Sequence, residues 1–232
     1  MTGQDIHVQG PDGKFQAYLA TPAAAQGPGI IVIQEIFGVN AVIREIADDL
    51  ARQGYFALAP DLFWRIEPAI QLTDKTDAEW KRAFELYQKF DVNAGVRDTQ
   101  AAISHLRHLP GVSGKVGSVG YCLGGLLAFL TGTRTDSNAN VGYYGVGIEG
   151  RLSEKGQIRH PMLVHIAEKD QFVPPAAQTQ IQEALQSVAH VSAHIYPGAD
   201  HAFARQGGQH YDAAAATLAN NRTAEFFRTH LH

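Results

Sequence analysis

The strongest constraint on the fold of this chain is a glycine-flanked turn between a short apolar strand and an apolar helix. Residues 115–119 predict the strand, and the residues from Leu126 onward predict the helix. Between them a cysteine, Cys122, has Gly120 two positions before it and Gly124 two positions after it. A strand and a helix that leave so tight a turn approach each other closely, so side chains would collide at both glycine positions. The pattern G-x-C-x-G therefore predicts a nucleophile elbow with Cys122 at its apex.

Strands and helices alternate along the rest of the chain. Apolar runs predict strands at residues 29–33, 55–59, 141–144, 161–167 and 192–196, and apolar periodicity predicts helices after Asn40 and at residues 77–90, 92–106, 175–188 and 212–231. Near the N-terminus, residues 5–8 and 15–19 alternate in polarity around a turn and predict a hairpin. This order predicts an α/β fold with a mostly parallel central sheet and helices on both faces. No linker interrupts it, so we expect residues 1–232 to form a single domain.

Composition excludes several classes of function. The chain has 232 residues, of which 45% are apolar, and a net charge of -4, so it offers no basic surface for nucleic acid. We expect no membrane association, because no run of 18 apolar residues is present. A single cysteine cannot form an internal disulfide, and the N-terminal residues do not resemble a signal peptide. These features predict a cytoplasmic protein.

Two residues that could activate a cysteine nucleophile follow predicted strands. Asp170 comes shortly after strand 161–167, and His201 comes shortly after strand 192–196. In parallel sheets the carboxyl ends of the strands share one edge, where ligands bind. Nucleophile, acid and histidine also follow one another in the order typical of α/β-hydrolases. The sequence therefore predicts a triad in which His201 is the base for Cys122 and Asp170 orients His201.

The same edge predicts an oxyanion-binding site. The N–H of Leu123, directly after the nucleophile, should point towards the site, and the N–H of Ile36, in the loop after strand 29–33, is the second expected donor. Because a thiolate leaves a tetrahedral intermediate more readily than an amide nitrogen does, a Cys–His–Asp set suits esters with stabilised leaving groups. Enol esters and activated lactones are of this kind.

These motifs resemble the dienelactone hydrolase (carboxymethylenebutenolidase) family over most of the chain. The stretches that carry the resemblance are residues 34–38 (QEIFG), 90–91, 94–95, 117–129 (GSVGYCLGGLLAF), 141–147 (VGYYGVG), 160–161, 170–174 (DQFVP) and 201–205 (HAFAR). The resemblance implies an α/β-hydrolase fold and a monomer that needs no cofactor and no metal. It implies hydrolysis of a dienelactone to maleylacetate in chlorocatechol breakdown, with Cys122, Asp170 and His201 as the triad.

The resemblance also implies roles for two charged residues. Glu35 falls on a family glutamate that pairs with the resting thiol and gives up this place when an anionic substrate binds. A carboxylate beside a thiol disfavours the thiolate by charge repulsion, which would protect the free enzyme from oxidation. Arg205 falls on one of two family arginines that hold the substrate carboxylate.

The remaining expectations concern the substrate pocket. The second family arginine falls near position 80, where this chain has Trp80, and Lys81 or Arg82 is the candidate replacement. Adjacent helical residues point about 100° apart, so neither replaces position 80 automatically. From their loops, the side chains expected to line the pocket are Phe37, Tyr144 and Phe172.

Two alternative functions stay open at this point. Two residues differ from the pattern of the family: Trp80 stands near the place of the second arginine, and Ala202 stands in place of the serine of well-known members. These differences are compatible with a hydrolase of other carboxylic esters or thioesters on the same fold. A non-catalytic binding module is the second alternative. Two further patterns are expected to bind neither a dinucleotide nor a metal, because each lacks the partners that such sites need. They are the G-x-G-x-x-G of residues 145–150, which we expect to form a glycine-rich loop, and the pair His105 and His108.

Overall fold

A computed structural model describes residues 3–232 of the chain. The strands within these residues are β1 Gln4–Gly10, β2 Gly13–Ala20, β3 Gly27–Ile33, β4 Phe56–Pro60, β5 Val112–Tyr121, β6 Asn140–Tyr143, β7 Met162–Ala167 and β8 Val191–Tyr196. The α-helices of the same range are α1 Ala41–Arg52, α2 Asp77–Lys89, α3 Val92–Arg107, α4 Leu123–Arg134, α5 Pro175–Gln186 and α6 Ala213–Leu231. A 3₁₀ segment, Glu149–Gln157, lies between β6 and β7.

All eight strands form one sheet in the order β1-β2-β4-β3-β5-β6-β7-β8. The hairpin of β1 and β2 joins the sheet in antiparallel fashion through β4, and the pairs from β4 to β8 are parallel. Helices α3 and α4 contact each other and cover β5, while α1 and α6 line a common cavity through Leu50 and Phe227. The predicted α/β class and the mostly parallel sheet are confirmed.

The parallel strands bring the predicted site residues to one edge of the sheet. In the register of the central strands, Ile33 of β3 lies beside Gly120 of β5, and Tyr121 lies beside Tyr143 of β6. At the next pair, Ala167 of β7 lies beside Tyr196 of β8. The loops that follow these strands therefore start side by side.

Burial explains why β3 can stand at the centre of the sheet. Its residues Ile30 to Ile33 are inaccessible to solvent, as expected of a strand covered on both faces. The helix that follows begins at a side-chain cap, because Asn40 Oδ1 accepts a hydrogen bond from the N–H of Ile43 at 3.2 Å. The prediction of a helix after Asn40 is confirmed.

Two local predictions need correction. Helix α4 begins at Leu123, directly after the nucleophile, whereas the sequence placed its start at Leu126. Gly124 and Gly125 interrupt the apolar pattern at the start of this helix. Close packing requires them, and they do not mark a loop. Residues 149–157, part of which was expected to be a glycine-rich loop, form the 3₁₀ segment. Among the helices of residues 3–232, none has both the length and the apolar character needed to cross a membrane.

A polar network lies inside the structure on β7. His165 is fully buried, and its Nδ1 lies 2.7 Å from the hydroxyl of Tyr196 and its Nε2 lies 3.0 Å from the hydroxyl of Thr223. The hydroxyl of Tyr143 also contacts Thr223, at 2.6 Å. Burial lowers the pKa of His165 well below its ordinary value, and the neighbouring His194 and Arg222 act in the same direction.

We predict that His165 makes the fold less stable in acid. The folded protein keeps His165 neutral, whereas the unfolded chain takes up a proton below about pH 6.5. The unfolded state then binds more protons, so the free energy of unfolding falls as the pH drops through this window, by up to about 1.4 kcal/mol per pH unit from this residue. Urea unfolding of His165→Gln between pH 7 and pH 5 should show a shallower loss than the wild type. The exposed His7 supplies the matched control, His7→Gln, whose loss should parallel the wild type. Parallel curves for His165→Gln and the wild type would contradict the prediction.

Candidate active site

The elbow holds Cys122 in a strained backbone conformation. Its φ is 56° and its ψ is -114°, a region that side-chain-bearing residues rarely occupy. A Cβ atom at Gly120 would lie 1.9 Å from the carbonyl oxygen of Gly124, and a Cβ at Gly124 would lie 2.3 Å from the carbonyl oxygen of Ile33. The N–H of Cys122 donates to the carbonyl of Tyr143 at 3.1 Å, which ties the apex of the turn to the end of β6. Both glycines are therefore required by the close approach of α4 to the sheet.

The imidazole of His201 lies between the other two predicted triad residues. Its Nδ1 lies 2.7 Å from Asp170 Oδ2, and the ring lies close enough to Cys122 for the sulfur to act on its charge. Asp170 is in turn fixed by the N–H of Phe172, which donates to Oδ1 at 2.8 Å. Burial opposes a charge on the imidazole, but a thiolate at Cys122 and the Asp170 carboxylate outweigh burial and raise the pKa of His201 to about 10. The arrangement favours a protonated imidazole beside the sulfur of Cys122.

Aromatic rings and the neighbouring aspartate fix the orientation of His201. Phe172 and Tyr144 meet the imidazole edge to face, with ring centroids 4.8 and 5.2 Å away. The adjacent Asp200 accepts a hydrogen bond from the backbone N–H of His201 at 2.7 Å. Asp200 therefore holds the backbone of His201, while Asp170 bonds its imidazole ring. Tyr144 was expected to line the substrate pocket. Instead it is buried behind His201 and is not part of the cavity lining.

The two predicted oxyanion donors lie where two backbone segments converge. Leu123 is the first residue of α4, and Ile36 lies in the turn after β3. Among residues 3–232, no loop or turn carbonyl and no side chain accepts a hydrogen bond from either N–H. Both residues line the same cavity as Cys122. These N–H groups are available to a developing negative charge, and the N-terminal end of α4 favours one there.

The carboxylate of Glu35 is paired with Arg205, and not with the thiol as the resemblance led us to expect. Arg205 donates from Nε to Glu35 Oε2 at 2.7 Å and from Nη2 to Oε1 at 2.9 Å. Its remaining nitrogen, Nη1, donates to Asp74 Oδ2 at 2.8 Å, and the guanidinium lies over the ring of Phe37. Burial opposes the charge of Arg205, but Glu35 outweighs burial and raises the pKa of Arg205 above its ordinary value.

An apolar cavity, which we call the inner pocket, opens beside Cys122. Its lining comprises Ile36, Phe37, Trp80, Phe84, Tyr87, Cys122, Leu123, Val146, Phe172, His201 and Arg205. A second cavity, the outer recess, shares Trp80, Phe84, Phe172, His201 and Arg205 with the inner pocket and adds Asp74, Gln171, Ala202, Gln209 and His210. The expectation that Phe37 and Phe172 line the pocket agrees with this arrangement. An acyl group at Cys122 would meet mainly aromatic side chains.

Lys81 and Arg82 lie outside both cavities, which corrects their predicted place in the substrate pocket. Lys81 is exposed. Arg82 forms ion pairs with Glu67 and Glu85 on the surface. Position 80 is the one that faces the site, so the residue in the place of the second family arginine is an indole, Trp80.

Some residues of the site were missed by sequence reasoning. Phe84 lies four residues after Trp80, and Tyr87 lies three residues after Phe84. This helical spacing makes an apolar stripe on α2 that could have indicated both residues. Asp74 lies in an irregular segment before α2, and no sequence pattern indicated that it would meet Arg205. Among residues 3–232, no group of three or more His, Cys, Asp and Glu side chains has an arrangement that could hold a metal ion.

The close approach at the elbow gives a direct prediction for Gly124→Ala. The added methyl group would meet the backbone carbonyl of Ile33 at 2.3 Å, and backbone on both sides prevents relaxation. We expect the free energy of unfolding, measured with urea, to fall by about 3 kcal/mol and hydrolysis to be lost. The matched control is Gly156→Ala, where nothing lies within 4 Å of the added Cβ. A Gly124→Ala variant as stable as Gly156→Ala would contradict the elbow geometry.

Comparison with known proteins assigns the chain to a family. A profile of the Dienelactone hydrolase family matches residues 15–231. A carboxymethylenebutenolidase of Pseudomonas putida is 43% identical over 97% of this chain and 96% of its own length. A protein of Azospirillum brasilense, assigned provisionally as a carboxymethylenebutenolidase, is 50% identical over 96% of both chains. A crystal structure from Klebsiella pneumoniae, described provisionally as a dienelactone hydrolase, superposes with a TM-score of 0.86 at 26% identity and 98% coverage of both chains. The chain therefore belongs to the dienelactone hydrolase family, a family of ester hydrolases with the α/β-hydrolase fold.

Proposed function

We propose that this protein is a cysteine hydrolase that opens a dienelactone or a related enol-lactone ester through Cys122, His201 and Asp170. The observation that carries the proposal is the position of His201, which bonds Asp170 at 2.7 Å and lines the same cavity as Cys122, close enough for the sulfur to act on the imidazole. The names of the Pseudomonas putida and Azospirillum brasilense relatives support the choice of a carboxymethylenebutenolidase reaction.

In the first half of the reaction, the thiolate of Cys122 attacks the lactone carbonyl carbon. The carbonyl oxygen becomes an oxyanion, which accepts hydrogen bonds from the N–H groups of Leu123 and Ile36. The bond between the acyl carbon and the ring oxygen then breaks, and the enolate that leaves takes a proton from the His201 imidazolium. The product is a thioester on Cys122 that still carries the opened chain, because a lactone has no separate leaving group.

In the second half, water hydrolyses the thioester. Neutral His201 removes a proton from the water as it attacks the acyl carbon, and Asp170 stabilises the imidazolium that forms. The tetrahedral intermediate collapses with expulsion of the Cys122 thiolate, which restores the starting pair. The opened acid leaves as the product.

The chemistry of the nucleophile supports a lactone with a stabilised leaving group. An enolate is a better leaving group than an amide nitrogen, so collapse of the first intermediate proceeds forwards rather than expelling the thiolate.

We further propose that the protein is a cytoplasmic monomer of one domain that acts without a cofactor or a metal. The composition supports the absence of nucleic-acid and membrane partners, because it offers neither a basic surface nor an apolar span.

A second candidate function is hydrolysis of other carboxylic esters or thioesters at the same site. Trp80 and Phe84 favour it, because they place aromatic surface where the resemblance implies an arginine. The third possibility, a non-catalytic binding module, has less support, because the predicted nucleophile, base and orienting acid are all in contact.

We predict that Cys122→Ser lowers the turnover of dienelactone by more than about a thousandfold, because a hydroxyl held at this turn lacks the nucleophilicity of the thiolate. The substitution removes little volume, so the thermal unfolding temperature should stay within a few degrees of the wild type. Steady-state kinetics by ultraviolet absorbance of the dienelactone, together with thermal unfolding of the same sample, checks both parts. Turnover within a few-fold of the wild type would show that Cys122 is not the nucleophile.

A further inference from the structure

The guanidinium of Arg205 is already bound on all of its nitrogens. Glu35 accepts from Nε and Nη2, and Asp74 accepts from Nη1 at 2.8 Å. The three side chains are buried, with 7% of Arg205, 3% of Glu35 and 9% of Asp74 exposed. Two carboxylates and one guanidinium leave this cluster with one net negative charge. Because the cluster is buried, salt in the solvent screens this charge only weakly.

Asp74 is held firmly at this place. Its backbone carbonyl accepts a hydrogen bond from the indole Nε1 of Trp80 at 3.0 Å. Next to it, Thr73 donates from its N–H and its hydroxyl to the carboxylate of Glu79, each at 2.8 Å. One residue before Thr73, the N–H of Leu72 donates to the carbonyl of Phe37 at 2.9 Å. The segment is therefore attached to α2 and to the turn after β3, and the Asp74 side chain is directed by these attachments.

Asp74 also limits access to Arg205 from the outer recess. Both side chains line that cavity. A Cβ at Gly208 would lie 3.2 Å from Asp74 Oδ2 and 3.1 Å from Arg205 Cδ, so the chain covers the ion pair closely on that side. Apart from His201 of the predicted triad, the other described walls that the two cavities share are the uncharged rings of Trp80, Phe84 and Phe172, which could not hold an anion in place of Arg205.

We propose that Asp74 is a specificity-determining residue, which competes with a substrate carboxylate for Nη1 of Arg205. A lactone with a free carboxylate must displace Asp74 from Arg205 or bind beside a cluster of net negative charge. The neutral ester of the same lactone has no carboxylate, so it neither has to displace Asp74 nor is repelled by the negative cluster. Since Asp74 has no hydrogen bond to Cys122 or His201, its effect falls on substrate binding and leaves the chemical steps unchanged. This inference rests on the proposed function for its substrate.

The test compares the carboxylate-bearing dienelactone with its methyl ester, which has the same scissile ring, in the wild type and in Asp74→Asn. Asparagine keeps the shape and an oxygen acceptor for Nη1 but removes the charge. We expect the KM of the carboxylate-bearing lactone to fall about tenfold, in line with the loss of one charge-assisted hydrogen bond, at unchanged kcat. The kinetics of the methyl ester should stay within about twofold, which also shows that the variant is folded.

Asp77→Asn is the matched control. Asp77 is exposed in the first turn of α2, three residues from Asp74, and the substitution makes the same change in charge. We expect the preference between the two lactones to stay within about twofold of the wild type. If Asp77→Asn shifts this preference as much as Asp74→Asn does, general electrostatics accounts for the effect and the proposal is wrong.

Calorimetry separates this inference from the proposed function. Binding of the carboxylate-bearing lactone is measured to Cys122→Ser and to Cys122→Ser with Asp74→Asn, and we expect about tenfold tighter binding to the second protein. Tighter binding together with a wild type that hydrolyses neither lactone would refute the proposed reaction and leave the role of Asp74 standing. Equal or weaker binding to the second protein would overturn the role of Asp74, whatever the turnover of the wild type.

Discussion

The close approach of α4 to the sheet at the elbow is the constraint on which the rest of the site depends. Only hydrogen fits at positions 120 and 124, where a Cβ would meet backbone at 1.9 and 2.3 Å. This contact forces Cys122 to a φ of 56°, and it brings the first N–H of α4 beside the turn after β3. A looser turn would separate the nucleophile from the N–H groups of Leu123 and Ile36 and from the base that reaches it from the loop after β8.

Charge is distributed around this turn in two clusters of opposite effect. On one side, Cys122 and Asp170 outweigh burial and raise the pKa of His201 to about 10, so a cation lies beside the sulfur. On the other side, Arg205 lies between two carboxylates, Glu35 and Asp74. The first cluster presents a positive charge at the nucleophile, whereas the second removes from solvent a cation to which an anionic substrate could bind. The pocket between them is mainly aromatic, so binding there depends on apolar contact and on how Arg205 is occupied.

Much of this arrangement could be predicted from the sequence, because it follows from periodicity and order along the chain. The apolar runs located the strands, and the parallel order then placed Cys122, Asp170 and His201 at one edge, where the structure brings them into contact. The sequence failed where a side chain's direction depends on tertiary packing. Lys81 and Arg82 were assigned to the pocket from their nearness to position 80, but the phase of α2 points Trp80 inward. Glu35 was expected at the thiol, and its partner is Arg205, 170 residues away. Asp74 lies in an irregular segment with no periodicity to indicate its direction.

The most direct test of the account is mass spectrometry of the acyl-enzyme. Rapid acid quenching of the wild type with dienelactone, followed by proteolysis, should find the peptide containing Cys122 heavier by the mass of the whole lactone, because ring opening releases no fragment. The adduct should be released by hydroxylamine, as a thioester is. An adduct on a different residue would contradict a thioester on Cys122. Turnover would also contradict it if the Cys122 peptide stayed unmodified at every quench time, both in the wild type and in His201→Gln, which lacks the base that activates water for hydrolysis of the thioester.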